Sequence, residues 1–528
     1  MKREILTLAL AFGALVASAQ TTEKINIEDG ERWWGAATGL GLSMPYGGGN
    51  KAEIDQRKYN LNNQTSPLLI SSKGRSLWCS GPFKMKAEGK QINLTSAKGS
   101  FELQTYGKTL RDAYCGVMQK HFPPTGSVPP ELFFTRPTYN TWIELVYNQN
   151  QADVMKYAKG IVDNGFPTGV LMIDDNWQQD YGVWEFRAEQ FPNPKAMVDS
   201  LHDMGFKVML WVCPFVSPDS KKGRDLAKKG YFLKRKGTDE PAVVAWWNGY
   251  SHVYDLSNPE ARAYLKHEFA DLQQRYGIDG FKFDAGDQCY YSEDEVDVYD
   301  GKSYDVAQTQ LWAQLGSEFS YNEMRACWLE GNAPLVQRLG DKDYSWLGVR
   351  QLVPGMIAAG LQGYGYTCPD MIGGGSFTTF YGIDPDKFDQ KLIVRSCQIH
   401  SMMPMMQFSV APWRILDKHH LDICRRYAAW HSQLGDYILS EARRMAKTGE
   451  PMVRAMDYSF PGQGLEGITD QYMLGDKYLV APVVTSADQR DVRLPKGKWR
   501  DDTGKVWRGG KTITINVPIE RLPWFERL

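Results

Sequence analysis

Three rhythms of apolar and polar positions follow one another along the chain. Over residues 25–120 the apolar positions fall in short, alternating runs. Residues 84–105 hold two of them, broken at Glu88-Gly89-Lys90 and Ala97-Lys98-Gly99. Alternation interrupted by Gly and Ser turns predicts antiparallel hairpins. The Pro-rich stretch 121–130 reads as a linker, which sets an N-terminal β-sandwich at 20–130. After Glu131 short apolar strands (169–173, 207–213, 280–283) alternate with amphipathic stretches such as 150–164 and 259–276, the latter opening on Asn258-Pro259. Such alternation predicts a parallel α/β architecture, and its length suits a (β/α)8 barrel, also called a TIM barrel, at 131–440. From about residue 450 the strand rhythm returns at 477–484, 491–494 and 512–517, separated by Pro-Lys-Gly and Arg-Gly-Gly turns. This predicts a C-terminal β-sandwich at 441–528.

The first nineteen residues belong to none of these rhythms. Lys2 and Arg3 precede an apolar run over 5–16, and Ala17-Ser18-Ala19 supplies small residues for cleavage. That is the pattern of a secretory signal peptide, too short to persist as a membrane span. The expected product is exported, periplasmic or secreted, with no membrane partner. With 61 basic and 62 acidic residues the chain also lacks the basic excess that nucleic acid or anionic lipid would attract. Aromatic residues are plentiful, with 17 Trp, 27 Tyr and 22 Phe, and Trp and Tyr make the half-wet platforms on which sugar rings stack. The eight cysteines are scattered without metal-ligand spacing, and only eight His are present. Few or no disulfides, no catalytic metal and no cofactor are expected.

In a (β/α)8 barrel the chemistry sits at the C-terminal ends of the strands. The residues there are acidic and aromatic: Asp174, Asp175 and Trp177; Trp211; Asp284. Lys282 lies two residues before Asp284 and so shares its side of the strand, where a cation helps keep a carboxylate ionised. A further acidic turn runs from Asp341 to Trp346, and Trp246-Trp247-Asn248-Gly249 has the composition of a sugar platform. Hydrolysis of a glycosidic bond needs two carboxyl groups, one held ionised and one able to donate a proton. Alone, each of these motifs is equally a helix cap, an acidic turn or a piece of core.

Together they resemble glycoside hydrolase family 31 from about residue 131 to the end. Phe281-Lys282-Phe283-Asp284-Ala285-Gly286-Asp287 is similar to that family's nucleophile motif. Asp341-Lys342-Asp343-Tyr344-Ser345-Trp346 is similar to its acid/base motif, and Pro369-Asp370-Met371-Ile372-Gly373-Gly374 to its Asp-Ile-Gly-Gly loop. Residues 470–483 are similar to the opening of its C-terminal sandwich. The resemblance implies Asp284 as nucleophile, Asp341 as acid/base, and Asp174, Lys282, Arg338 and Asp370 around the non-reducing sugar. Within the family the chain resembles the myogenesis-regulating glycosidase group, which implies α-galactosidase activity on a terminal α-linked sugar of an oligosaccharide or glycoside. Two departures bear on the sugar. Met172-Ile173-Asp174 stands where the family's α-glucosidases carry Asp-x-Asp, and Gln407-Phe408-Ser409 where they carry Arg-x-His. A site without those polar partners discriminates against glucose. Asp174-Asp175-Asn176-Trp177 instead resembles the Asp-Asp-Gly-Trp motif of other α-galactosidase families, with Asn in place of Gly. On the residues alone, Asp175, Trp177, Trp211, Trp247 and Asn248 complete the expected sugar site. An α-glucosidase, an α-xylosidase, a transglycosidase or a non-catalytic sugar-binding protein remain the rival readings.

Overall fold

The computed structural model describes residues 20–58, 64–384 and 387–528; the signal-peptide reading of residues 1–19 lies outside them. Two antiparallel sheets form the N-terminal domain. One orders Thr21–Asn26, Gln91–Ser96, Lys84–Glu88 and Ala52–Asp55; the other orders Trp33–Ala37, Gln64–Ser71, Arg75–Cys79 and Phe101–Thr105. Alternation is clean where one face meets water, as in Lys84–Glu88, whose second and fourth residues alone are buried. Gln64–Ser71 is buried at every position and also pairs, in parallel, with Cys327–Trp328 from the barrel. The N-terminal domain is therefore stitched into the middle of the molecule.

The sequence reading fails at residues 110–121, which form a helix rather than strands. Leu110, Ala113, Tyr114, Val117 and Met118 are its buried face, a spacing of three and four residues that is helical. Thr109 and Asp112 close a capping box at its start, with Asp where Glu is usual.

Eight parallel strands make the barrel: β1 (Thr138–Asn140), β2 (Val170–Ile173), β3 (Lys207–Val212), β4 (Gly280–Phe283), β5 (Tyr321–Met324), β6 (Gln337–Arg338), β7 (Thr367–Cys368) and β8 (Gln407–Phe408). They are hydrogen-bonded in the order β7-β6-β5-β4-β3-β2-β1-β8, and the Ile372 amide, just beyond β7, donates to the Gln407 carbonyl at 2.8 Å to bring the two ends together. The outer helices start where the sequence signals them. Gln151–Asp163 is capped by the Asn150 side chain. Pro259–Tyr276 is capped by Asn258 and ended by Gly277, whose φ of 78° needs no Cβ penalty. Helix Gly435–Thr448 crosses the expected boundary at 440 and packs on Leu132–Thr135 of the barrel. Behind it a six-stranded and a two-stranded sheet enclose Trp499, Val492, Leu494 and Phe525, forming a separate C-terminal core. Among the described residues no helix is long and apolar enough to cross a membrane.

The turn leaving β4 aims Asp284. Ala285 and Gly286 take φ of 54° and 75° in succession, turning the chain sharply. A Cβ on Gly286 would lie 2.2 Å from Cδ1 of Trp312, a fully buried ring packed on Phe283. Gly286→Ala therefore combines backbone strain with overpacking and is expected to cost about 2–4 kcal/mol of stability in a denaturant melt. A melt superimposable on wild type would contradict this account of the turn.

Candidate active site

β4 sets the geometry. Lys282 is in register with Trp211 of β3 and Glu323 of β5, so these side chains enter the barrel at one level. Asp284, one step beyond the strand end, accepts from the Trp211 indole N–H at Oδ2 (2.7 Å) and from the Ala285 amide at Oδ1 (2.8 Å). Arg325, the residue after β5, brings its Nε to 3.6 Å from Asp284 Oδ1 and 3.2 Å from Asp287 Oδ2. Lys282 Nζ donates to Asp174 Oδ2 at 2.6 Å across the barrel mouth. Arg338, ending β6, holds Asp341 Oδ1 at 2.6 Å and lies 3.5 Å from Asp370 and 3.4 Å from Glu323. Asp370 in turn accepts from the amides of Lys342, Met371 and Gly375, which shapes the loop beside Asp341.

Nearly all of these groups are buried, and burial penalises charge. For Asp284 burial pushes the carboxyl up, but Arg325, Lys282, Arg338 and the Trp211 N–H together outweigh it and hold it at about 2. Its neighbours fare differently. Burial raises Asp175 to about 7 and Asp370 to about 6, and it also raises Asp287 and Glu323 above the usual carboxylate range. The arrangement keeps one carboxylate ionised among several that burial drives toward the neutral form, which is what a nucleophile requires. Asp341 differs in access: its side chain is 32% exposed against 10% for Asp284, so it faces the mouth where a leaving group would depart.

Asp175 looks away from Lys282 toward a hairpin, Val244–Trp246 and Gly249–Val253, whose turn is Trp247-Asn248. Asn248 Nδ2 donates to Asp175 and to the Tyr181 hydroxyl, both at 2.7 Å, while Tyr147 donates to its Oδ1 at 2.9 Å. Trp247 is 43% exposed, and the Arg325 guanidinium sits 4.7 Å from its ring centre. The hairpin tip therefore reaches over the acids. Asn176 has φ of 80°, the left-handed region that favours glycine and that Asn tolerates. The replacement of Gly in the Asp-Asp-Gly-Trp pattern thus preserves the turn.

Trp177 is placed otherwise than expected. It is fully buried, donates its indole N–H to the Trp211 carbonyl at 2.8 Å, and packs on Phe186 and Trp184, so it supports Trp211 from the core and offers no sugar platform. Met172 and Gln407 meet inside the barrel: Gln407 Nε2 lies 3.8 Å from the Met172 sulfur and donates to Glu323 at 2.8 Å, while Ser409 accepts from the Ile143 amide. Sequence reasoning missed Arg325, Asp287, Glu323 and Tyr181. The available signal for Arg325 was its position directly after a strand, hidden because Asn322 and Glu323 interrupt the apolar pattern. Among the described residues no group of three or more His, Cys, Asp or Glu is arranged to hold a metal ion.

The raised Asp175 carboxyl has a consequence for stability. The folded protein keeps its proton up to about pH 7, whereas the unfolded chain releases it near its ordinary value of 3.8, so stability drains away as pH rises between those values. Asp175→Asn removes this loss. It is expected to melt above wild type at pH 8 and with wild type at pH 4; a difference independent of pH would contradict the assignment.

Residues 133–441 match the model of the glycosyl hydrolases family 31 TIM-barrel domain, and residues 449–528 that of the glycosyl hydrolase family 31 C-terminal domain. Myogenesis-regulating glycosidase of Mus musculus is 32% identical over 413 residues, covering 76% of this chain and 57% of that protein. Alpha-xylosidase XylQ of Lactiplantibacillus pentosus is 25% identical over 482 residues, covering 84% of this chain and 60% of its own. The chain thus spans less than two thirds of the length of either relative. A family 31 dextranase of Flavobacterium johnsoniae, complexed with glucose, superposes with a TM-score of 0.83 at 19% identity, over 96% of this chain and 66% of that one. A family 31 alpha-xylosidase from a soil metagenome, complexed with xylose, gives 0.83 at 21% identity over 96% and 79%. With both its barrel and its C-terminal domain matched, the chain belongs to glycoside hydrolase family 31.

Proposed function

We propose that this protein is an exported, retaining, exo-acting α-galactosidase that needs no cofactor. The observation that carries the two-aspartate mechanism is the setting of Asp284: Arg325, Lys282, Arg338 and Trp211 work against its burial and draw its carboxyl below the ordinary carboxylate range. Asp284 attacks the anomeric carbon while Asp341 protonates the departing oxygen, giving a β-linked glycosyl-enzyme. Asp341 then takes a proton from water, which releases the sugar with net retention. Asp174, Lys282, Arg338 and Asp370 surround the terminal ring. Asp175 and Asn248 reach it from the hairpin side, Trp211 holds the nucleophile, and Trp247 covers the mouth.

Galactose is favoured by what the barrel lacks. Gln407 donates to Glu323 at 2.8 Å and lies 3.8 Å from the Met172 sulfur, so neither position supplies the charged group that the α-glucosidase pattern carries there. Paired acids at 174 and 175 stand instead beside Lys282 and Asn248. Galactose is also what the resemblance to the myogenesis-regulating glycosidase group implies, while the likeness to alpha-xylosidases and to an alpha-glucosidase supports an α-xyloside or α-glucoside as the second reading. Export rests on the leader-like pattern of Lys2, Arg3 and the apolar run behind them.

Initial rates on p-nitrophenyl α-galactoside, α-glucoside, α-xyloside and α-N-acetylgalactosaminide test the assignment. Turnover of the galactoside is expected to dominate and to fall by about 10⁴-fold or more in Asp284→Ala. Preference for the glucoside or xyloside would reverse the sugar assignment, and activity surviving in Asp284→Ala would remove the nucleophile.

A further inference from the structure

Gln64 opens the strand Gln64–Ser71 of the N-terminal domain and is completely buried, yet its side chain reaches the barrel. Its Nε2 lies 3.1 Å from the Arg325 carbonyl, 3.2 Å from the Arg338 carbonyl and 3.1 Å from Oε1 of Gln337. Its own Oε1 lies 3.2 Å from the Thr38 hydroxyl, whose one hydrogen it shares with the Gln64 main-chain carbonyl at 3.3 Å. A carboxamide NH2 has two hydrogens, so the three acceptors share them.

The place matters more than the number of bonds. β5 and β6 are in register only at Met324 and Gln337, so their ladder ends where Arg325 begins. Beyond it the two strands are no longer paired, and each tip carries a guanidinium that holds a different acid: Arg325 beside Asp284, Arg338 on Asp341. Gln64 spans that gap, donating to the carbonyls of both residues as a ladder bond would. The pairing of Gln64 with Cys327 and of Thr65 with Trp328, and the Tyr364 hydroxyl on the Thr65 carbonyl (2.8 Å), anchor the strand from which it reaches.

We propose that Gln64 is a positioning residue through which the N-terminal domain fixes the separation of the Arg325 and Arg338 tips, and with it the mutual placement of Asp284 and Asp341. The proposal rests on the reading of those two acids given above. An error of about 1 Å between reacting groups can cost on the order of 100-fold in rate.

Gln64→Leu keeps the bulk and burial and removes both the donors and the acceptor. It is expected to lower kcat on the aryl α-galactoside by about 10- to 100-fold while KM moves by less than about threefold. The acidic limb of its kcat/KM profile should shift to higher pH as Arg325 loosens its hold on Asp284. Thr38→Val, which removes the hydroxyl shared by Oε1 and the main-chain carbonyl of Gln64, should shift the profile in the same direction by less, and it carries the test if Gln64→Leu does not fold. Variants that melt earlier but keep the wild-type kcat and acidic limb would show Gln64 to be merely structural and overturn the proposal. Wild-type turnover abolished in Asp284→Ala, together with unaltered Gln64 and Thr38 variants, defeats this proposal alone. A wild type inactive on every aryl α-glycoside, or an active Asp284→Ala, defeats the reading of the site and this inference with it.

Discussion

An ionised carboxylate cannot be kept inside a protein without opposing charge close by, and this constraint organises the barrel mouth. Asp284 is nearly enclosed, so burial opposes its charge, and the structure answers with Arg325, Lys282, Arg338 and the Trp211 N–H. Those cations are buried too and need partners of their own: Lys282 takes Asp174, Arg325 takes Asp287, and Arg338 takes Asp341, Asp370 and Glu323. The network around Asp284 thus draws on six of the eight strands, β2 to β7. The residues that accompany Asp284 are ligands of one another.

The outer parts of the molecule serve that lattice. The C-terminal ends of the strands are short, with β6, β7 and β8 only two residues each, so ladder bonds alone leave their tips loosely defined. Loops and a neighbouring domain complete them. Asp370 gathers three backbone amides from the β6 and β7 loops, the Trp247-Asn248 turn ties Asp175 to Tyr181, and Gln64 bridges β5 and β6. The geometry of the barrel mouth is set by contacts from outside the barrel as well as by its strands.

How much of this was legible in the sequence follows the same physics. β4 was readable because Phe281 and Phe283 face apolar neighbours while Lys282 points inward alone, so a strand ending in an acid could be recognised. β5 was not, because Asn322 and Glu323 are both buried and polar: an interior built from ion pairs breaks the apolar alternation by which a strand is recognised. Arg325 went unseen for the same reason, and because its partners lie about forty residues upstream. The family motifs located Asp341 and Asp370, but nothing in them showed that Arg338 joins the two. Trp177 was misjudged because the same residue type serves both as platform and as core, and only its buried N–H contact to the Trp211 carbonyl decides. The helix Leu110–His121 was lost in a segment dominated by strands, although its apolar spacing was plain.

The central claim is that Asp284, held ionised by the lattice, forms the covalent intermediate. It is tested most directly by trapping the enzyme with 5-fluoro-α-galactosyl fluoride and mapping the adduct by peptide mass spectrometry. The expected result is one fluorogalactosyl group per chain, attached at Asp284. A label on Asp287, Asp174 or another carboxylate, or time-dependent loss of activity with no covalent mass at all, would contradict the account.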